Sequence, residues 1–233
     1  KSKKKIFIST PFSRAAADRL GKFNIPAFKI GSGEADNIPL IRHIAAKGKP
    51  VLFSTGMQTI KSIKHSVTIL EEANIDFALL ECTNLYPSPP ETVSLKGISE
   101  LKKEFPNCVI GSSDHFNGIL SGPIAYMLGA RVFEKHVTLN RAWKGTDHSF
   151  SLEPNGFKNI VRDIKRVPEM MQRKNDGSLG NEAVFIKLGK SIVASKDLEA
   201  GKEIHIDDLS GKIFSQQHIP VRESSDVIGK TLK

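Results

Sequence analysis

Cysteine, tryptophan and long apolar runs are all scarce in this chain. Its 233 residues include two cysteines, Cys82 and Cys108, and one tryptophan. A secreted scaffold held together by disulfides is therefore excluded, and we expect both thiols to be buried and reduced in a cytoplasmic protein. No apolar run reaches the length of a membrane-spanning helix, and the basic segment Lys1–Lys5 does not resemble a signal peptide. We expect neither a membrane partner nor export.

The charge of the chain is strongly positive. There are 34 Lys and Arg residues against 25 Asp and Glu, which gives a formal net charge of +9. Such an excess is typical of nucleic-acid-binding proteins, but the lysines are scattered over predicted helix faces rather than gathered in one stripe with aromatic residues. We therefore expect no nucleic-acid partner. Solvated helix faces explain most of the excess, and a positive cleft for an anionic substrate explains the rest.

Short apolar runs alternate with amphipathic segments from Lys5 to Arg173. The apolar runs predict strands at Lys5–Ser9, Ala27–Ile30, Val51–Ser54, Phe77–Cys82, Val109–Ser112 and Arg131–Lys135. The amphipathic segments predict helices near Arg14–Lys22, Ile38–Lys47, Ile60–Ala73, Leu95–Glu104, Gly118–Leu128 and Pro154–Arg173. Repeated strand–helix units of this kind predict a parallel sheet covered by helices.

Nearly every predicted strand ends in a cluster of polar residues. An open doubly wound sheet gathers its ligand groups at one crevice, whereas a barrel draws them from many strand ends around one mouth. The distribution here favours the barrel, so we predict an α/β chain with a (β/α)₈ TIM-barrel domain over residues 1–173. Because the chain opens directly on a predicted strand, we expect it to lack roughly the first two strand–helix units of that barrel.

The character of the sequence changes after Arg173. Residues 174–186 begin with a polar, turn-rich stretch, which predicts a linker. Residues 187–233 contain a predicted strand at Lys190–Ala194 and a short capped helical turn at Ile206–Leu209. We predict a small β-rich domain here, cut short at Lys233.

Two histidines, His115 and His136, each follow a predicted strand. If the two strands are adjacent and parallel, both imidazoles lie at the same edge of the sheet. Neutral imidazole is the commonest protein ligand for metal ions, so the pair predicts a site for a divalent metal. Two unrelated histidines at loop edges are the alternative, and the polar clusters at the neighbouring strand ends argue against it.

An ordered set of short motifs resembles one enzyme family. The set is Ser9–Phe12, Lys29–Glu34, Ser54–Met57, Cys82–Pro87, Ser113–His115, Glu134–His136, Gly145–His148 and Ser151–Pro154. In this order the motifs are similar to those of the N-acetylneuraminate (sialic acid) synthase family, which includes legionaminic and pseudaminic acid synthases and spore-coat polysaccharide relatives. The resemblance covers essentially the whole chain. The tail from Lys190 resembles the antifreeze-like (SAF) module that ends these enzymes.

The resemblance implies a metal-dependent transferase. Phosphoenolpyruvate, an N-acetylmannosamine-type sugar and water would give a nine-carbon 2-keto acid and phosphate. Six residues match substrate-binding positions, namely Thr10, Lys29, Ser54, Asn84, Ser113 and Tyr86. His115 and His136 match the metal ligands, for Mn²⁺ or Mg²⁺, and the ion would polarise the sugar aldehyde. Glu34 and Asp147 match catalytic positions that contact the sugar.

The roles of several neighbours of these residues stay open at the level of sequence. Glu134 either belongs to the metal site or is a buried partner of Lys135. Asp114 and His148 are expected to orient the ligands.

The resemblance also implies a domain-swapped homodimer in which each small module caps the partner's barrel. In the family this module carries an Arg-Pro-Gly segment whose arginine reaches the sugar of the partner subunit, and residues 212–220 lack it. Two further functions are therefore considered. One is a related synthase that condenses phosphoenolpyruvate with a phosphorylated sugar, and the other is a non-catalytic carbohydrate-binding protein.

Overall fold

The computed structural model describes residues 5–173, 183–216 and 218–233. The chain divides into two compact units, Lys1–Met171 and Gln172–Lys233. The first unit contains the predicted strand–helix repeats, and the second contains the predicted β-rich tail.

The first unit is built on one parallel sheet. Its strands are β1 (Phe28–Ile30), β2 (Val51–Ser54), β3 (Phe77–Cys82), β4 (Val109–Asp114) and β5 (Val132–Lys135), and they follow one another in the sheet in chain order. Every neighbouring pair is parallel. The sheet is curled, so that side chains of β1 and β5 line the same cavity.

Six helices accompany these strands. They are α1 (Arg14–Lys22), α2 (Ile38–Ala45), α3 (Ile60–Glu72), α4 (Lys96–Glu104), α5 (Ser121–Leu128) and α6 (Pro154–Met170). Three of them begin at side-chain caps that satisfy free backbone N–H groups: Ser13 for α1, Asn37 for α2 and Thr59 for α3. Helix α5 ends at Gly129, which has a φ of 113° that other residues rarely adopt.

The predicted strands and helices of the first unit are confirmed to within a few residues, with one exception. The segment Lys5–Ser9 is not a strand, because its only ladder contact is an isolated bridge from Ser9 to Phe28. Ile6 and Phe7 are 75% and 63% exposed, so the apolar run that predicted a buried strand is not buried in this structure.

Apolar side chains fill the space between the sheet and its helices. Phe28, Phe53 and Leu79 are completely buried from three successive strands. They pack in one cluster with residues of the helices such as Ile41 and Leu70. The strands are apolar on both faces, as expected for a parallel sheet with helices outside it.

Both cysteines are free thiols. Cys82 is the last residue of β3, and Cys108 immediately precedes β4. Each is half-buried, so the predicted burial is only partial for both. The reason is their position at strand ends, where the helices no longer cover the sheet.

The second unit contains helix α7 (Ala183–Leu188) and an antiparallel pair of strands, β6 (Ser191–Ala194) and β7 (Leu209–Lys212). The predicted strand at Lys190–Ala194 and the predicted helical turn, which is Ile206–Asp208, are both present. The predicted linker lies mostly in residues 174–182, outside the described residues, and its last part belongs to α7.

A buried carboxylate organises the second unit. Asp208 is 2% exposed and accepts hydrogen bonds from the Lys202 ammonium at 2.6 Å and the His205 backbone N–H at 3.1 Å. Lys196 lies 3.1 Å from the same carboxylate. These contacts, the bond from Lys202 above all, hold the pKa of Asp208 well below its usual range.

Among the helices of the described residues, none is both long and apolar enough to cross a membrane.

Candidate active site

The carboxyl ends of the five parallel strands meet at one edge of the sheet. Ser54, Cys82 and Asp114 are the last residues of β2, β3 and β4. Because side chains alternate along a strand, residues two apart share a face. The ladder pairs Cys82 with Ser113 and Ser113 with Glu134, which places these three side chains in a row on the inner face.

A buried lysine on β1 reaches the Glu134 end of this row. Lys29 is 7% exposed, and its Nζ donates a hydrogen bond to the Ser54 hydroxyl at 2.5 Å. The Glu134 carboxylate lies 3.4 Å from the same Nζ and accepts a hydrogen bond from the Ser113 hydroxyl at 2.6 Å. Lys29, Ser54 and Ser113, here called the anion cradle, therefore combine one cation with two hydroxyls.

The alternative partner proposed for Glu134 is wrong. Lys135 pairs with Asp114 at 2.7 Å, and Asp114 also accepts hydrogen bonds from the Ser121 hydroxyl and the Phe116 backbone N–H. Lys135 and Asp114 follow Glu134 and Ser113 by one residue, so they lie on the opposite face of the sheet. Asp114 thus stabilises the outer face, and its described contacts do not reach the histidines.

Asn84 lies beside the cradle in a tightly packed corner. Its Oδ1 accepts a hydrogen bond from the Cys82 thiol at 3.1 Å. A Cβ at Gly56 would lie 2.0 Å from the same Oδ1 and 2.7 Å from the Ser32 hydroxyl, which accepts a hydrogen bond from the Gly56 N–H. Burial raises the pKa of Cys82, so the thiol stays protonated and able to donate.

A cavity of about 450 Å³ extends from the cradle into the curled sheet. Thr10, Lys29 and Glu134 line its polar end, and Leu52, Leu80 and residues of α6 line the remainder. The structure therefore brings four of the six predicted substrate-binding residues, Thr10, Lys29, Ser54 and Ser113, to one place.

The two predicted metal ligands also lie together. The ring centroids of His115 and His136 are 5.1 Å apart. The Tyr86 ring lies 4.0 Å from that of His115, and the Phe150 ring lies 5.1 Å from that of His136. His115 follows Ser113 by two residues and His136 follows Glu134 by two, so the histidine pair lies one step, roughly 6.6 Å, beyond the anion cradle.

Each imidazole is held by its Nδ1 atom. Nδ1 of His115 lies 2.8 Å from the Thr83 carbonyl oxygen, to which it can only donate, so the Nε2 atom carries the free lone pair. Nδ1 of His136 lies 3.5 Å from the Asp147 carboxylate. Burial lowers the pKa of His115, which keeps this imidazole neutral near pH 7.

The two histidines fit the ligand requirements of some metal ions and not of others. Within the described residues, no group of three His, Cys, Asp or Glu side chains is placed to hold an ion. Zinc sites normally use three or four protein ligands, so the pair does not fit zinc. Two imidazoles 5.1 Å apart, each with a partner at Nδ1, do fit an ion that is bound through Nε2 and completes its coordination with water and substrate oxygens, as Mn²⁺ does.

The remaining predicted residues are placed as follows. Asp147 and Tyr86 contact the histidine pair. Glu34 lies in the turn after β1, where its carboxylate accepts a hydrogen bond from Asn37 at 2.6 Å, and its described contacts do not reach the pair. His148 bonds to the Thr138 hydroxyl at 2.8 Å.

Sequence reasoning left the role of Glu134 open and missed Phe150. The signal for Glu134 was its position two residues before His136, which places both side chains on the same face of β5. Phe150 sits in an irregular loop, so no periodicity marked it as a neighbour of the histidines.

Fold and site together define a class. A curled parallel sheet carries a buried lysine, two hydroxyls and a pair of imidazoles at its carboxyl edge, the edge at which α/β barrel enzymes place their active sites. The NeuB family model matches residues 1–176. The chain belongs to the NeuB family.

Known proteins support this assignment. The chain is 37% identical over 225 residues to human N-acetylneuraminate-9-phosphate synthase, a match that covers 96% of this chain and 63% of the relative. It is 36% identical to N,N'-diacetyllegionaminic acid synthase of Campylobacter jejuni, covering 88% of this chain and 63% of the relative. The chain thus spans less than two thirds of the length of these curated relatives.

Solved structures show the same fold. The N-acetylneuraminic acid synthetase of Leptospira borgpetersenii, solved with citrate, superposes with a TM-score of 0.71 at 28% identity, covering 76% of this chain and 63% of that one. The spore coat polysaccharide protein SpsE of Bacillus subtilis superposes with a TM-score of 0.69 at 27% identity, covering 95% of this chain and 67% of that one.

Proposed function

We propose that this protein is a sialic-acid-type synthase. It condenses phosphoenolpyruvate with N-acetylmannosamine or a related N-acyl amino sugar and releases phosphate. One observation carries the proposal: the buried Lys29, bonded to Ser54 and facing Glu134, lies one step below the paired imidazoles of His115 and His136. An anion-binding group and an electrophile-binding group are thus adjacent, as a condensation between these two substrates requires.

The anion cradle binds phosphoenolpyruvate. The Lys29 ammonium and the Ser54 and Ser113 hydroxyls supply hydrogen bonds to its charged oxygens, which are stronger than hydrogen bonds between neutral groups. Thr10, which follows the bridge from Ser9 to Phe28, and Asn84, which follows β3, complete the set. Because the thiol of Cys82 engages Oδ1 of Asn84, the amide presents its NH₂ group as a donor to the anion.

The reaction forms one carbon–carbon bond and one carbon–oxygen bond from water, and it breaks the bond between C2 and the phosphate oxygen. The oxygen of water becomes the 2-keto oxygen, and its two protons end on the new hydroxyl group and on phosphate. C3 of phosphoenolpyruvate attacks the sugar aldehyde, whose oxygen takes up a proton and becomes a hydroxyl group. Water adds at C2, and the bond from C2 to the phosphate oxygen then breaks. Glu34 and Asp147 are assigned to the sugar hydroxyls, where a carboxyl group can also move the proton. Tyr86 lies against His115 and shields this side of the site.

His115 and His136 would hold a divalent ion, Mn²⁺ or Mg²⁺, through their Nε2 atoms. The bound ion would supply Lewis-acid polarisation of the aldehyde. The Thr83 carbonyl and the Asp147 carboxylate hold the opposite ring nitrogens, which fixes the orientation of both imidazoles.

Phosphate release measured with phosphoenolpyruvate, Mn²⁺ and a panel of N-acyl sugars tests the proposal. Turnover should require all three components. The His115→Ala and His136→Ala variants should lose Mn²⁺ binding and turnover, while the exposed His65 on α3, replaced by Ala, serves as the control. Normal turnover of His115→Ala would contradict the metal site, and a protein that binds sugar without turnover would favour a carbohydrate-binding role.

A second candidate is the same condensation with a phosphorylated sugar. The names of the human and mouse relatives specify a 9-phosphate product, and each is 37% identical to this chain. Comparing kcat/KM for free and phosphorylated forms of one sugar separates the candidates. A higher value for the phosphorylated form would favour the second.

We further propose that the curled sheet is part of a (β/α)₈ barrel and that the second unit is an antifreeze-like module. The enzyme would be a cytoplasmic, domain-swapped homodimer, and its two free thiols agree with a reducing compartment. Light scattering of the intact protein measures the oligomeric state, and a monomer at all concentrations would contradict the swap.

A further inference from the structure

The segment that follows β3 contacts three parts of the site. Residues 83–93, here called the 83–93 loop, carry Asn84 and Tyr86. The same loop supplies the Thr83 carbonyl that accepts the hydrogen bond from Nδ1 of His115. One segment therefore touches the anion-binding corner, the aromatic wall and a proposed metal ligand.

The hydroxyl of Thr83 closes this loop on itself. It donates to the Thr92 carbonyl at 2.9 Å, with the Val93 carbonyl at 3.3 Å as a second acceptor. The loop thus returns to its own first residue after nine positions. Since the hydroxyl and the carbonyl belong to the same residue, any movement that breaks the closure also moves the carbonyl that holds His115.

Two hydrogen bonds of Ser88 hold the middle of the loop. Ser88 is 3% exposed, and its backbone N–H donates to the His115 carbonyl at 3.1 Å. Its hydroxyl donates to the Leu85 carbonyl at 2.9 Å. His115 is therefore held by the loop through both its ring and its backbone.

The tautomer of His115 depends on the hydrogen bond between its Nδ1 atom and the Thr83 carbonyl. The ring is 4% exposed, so water offers little replacement for a lost partner. With the proton on Nδ1, the Nε2 atom is free to bind an ion. With the proton on Nε2, that atom cannot act as a ligand.

We propose that the Thr83 hydroxyl is a positioning group that fixes the Nε2-ligating tautomer of His115 by closing the 83–93 loop. This inference rests on the proposed role of His115 as a metal ligand. Side chains that support a ligand from behind typically contribute a factor of about 10 to 100 in metal affinity.

Three variants of the intact protein test the inference. Thr83→Val removes the hydroxyl with little change in shape, and Thr83→Ser retains it. Thr92→Val is the local control, because its hydroxyl bonds only to the Pro89 carbonyl at 2.8 Å among the described contacts and lies in the exposed part of the loop. Two measurements apply to each variant: long-range ¹H–¹⁵N spectra of ¹⁵N-histidine, which report the tautomer, and Mn²⁺ affinity from electron paramagnetic resonance.

Thr83→Val should populate the other tautomer of His115 and weaken Mn²⁺ binding by about tenfold. Thr83→Ser and Thr92→Val should match the wild type in both measurements. An unchanged tautomer in Thr83→Val would overturn the inference. If Thr83→Val does not fold, a changed tautomer in Thr83→Ser would overturn it, because that variant keeps the hydroxyl. A tautomer that depends on Thr83 in a protein that binds no Mn²⁺ would support the positioning role and contradict the proposed metal site.

Discussion

Lys29 on β1 and Glu134 on β5 lie 3.4 Å apart, although three strands separate them in the sheet. In a flat sheet with strands about 4.8 Å apart, these two strands would be roughly 19 Å from one another. The contact is thus direct proof of the curl. It also gives the buried Lys29 ammonium a counter-charge before any substrate binds.

Replacing Lys29 tests the anion cradle. Lys29→Met should weaken the binding of phosphoenolpyruvate by roughly 100-fold, because a hydrogen bond to a charged group contributes about 1.5 to 3 kcal/mol. Calorimetry without sugar measures the affinity. The exposed Lys22 at the end of α1, replaced by Met, is the control for a general loss of positive charge. Equal affinities of the two variants would contradict the cradle.

Replacing Glu134 should have the opposite effect on binding. Glu134→Gln keeps an acceptor for the Ser113 hydroxyl and removes the negative charge that competes with the substrate for Lys29. Phosphoenolpyruvate should therefore bind about 3- to 10-fold more tightly, from the Coulomb energy of one nearby charge. Weaker binding in calorimetry would show that Glu134 assists the anion instead of competing with it.

Gly56 should tolerate no side chain. Gly56→Ala places a Cβ 2.0 Å from Oδ1 of Asn84, so the amide must move away from the anion cradle. We expect the KM for phosphoenolpyruvate to rise at least about tenfold, the equivalent of one lost hydrogen bond. Gly21→Ala in α1 is the matched control, because a Cβ there meets nothing within 4 Å. A normal KM for Gly56→Ala would mean that Asn84 does not contact the substrate.

Glu81 should make stability depend on pH. Burial against α4, with Glu100 nearby, raises its pKa from 4.5 to about 7. The folded state therefore binds the proton more tightly than the unfolded chain, and the free energy of unfolding falls as pH rises from about 4.5 to about 7. Above that window the charged carboxylate costs on the order of 3 kcal/mol.

The variant Glu81→Gln should remove this dependence. Urea unfolding at about pH 5 should give similar stability for wild type and variant, and at about pH 8 the variant should be the more stable. Glu72→Gln, at the exposed end of α3, is the control. Parallel pH profiles of Glu81→Gln and wild type would contradict the burial of a protonated carboxyl group.

Asp208 should act in the reverse direction in the second unit. Its depressed pKa means that the carboxylate stabilises the fold above the usual titration range and loses this effect as the pH falls through the folded-state pKa. Asp208→Asn should speed hydrogen exchange in β6 and β7 at neutral pH, and the difference from wild type should shrink in acid. Asp197→Asn, at an exposed position, should exchange as the wild type does.

Strand positions were predictable from the sequence because each strand begins with apolar residues, although Lys29, Ser113 and Glu134 interrupt the apolar pattern of three of them. The run Lys5–Ser9 has the same composition but forms a single bridge, since composition reports apolar character and not the presence of a partner strand.

The site was only partly predictable for a related reason. His115 and His136 follow neighbouring strands, so their proximity could be deduced from parallel pairing alone. The contact between Lys29 and Glu134 joins strands that are not neighbours, and it depends on curvature that no local pattern records. The pairing of Lys135 with Asp114 was missed because it depends on the register of β5 against β4, which places the two residues opposite each other.

Ser113 and His115 lie two residues apart, as do Glu134 and His136. The side chains at the two levels of the site therefore depend on the same alternation of faces along each strand. Inserting one residue inside β4 or β5 would turn the hydroxyl, the carboxylate and the imidazoles away together. Insertions in loops that do not contact these residues would leave the hydroxyl, the carboxylate and the imidazoles in place. Changes that alter substrate preference can therefore accumulate in such loops, while the residues of the proposed condensation site can change only together.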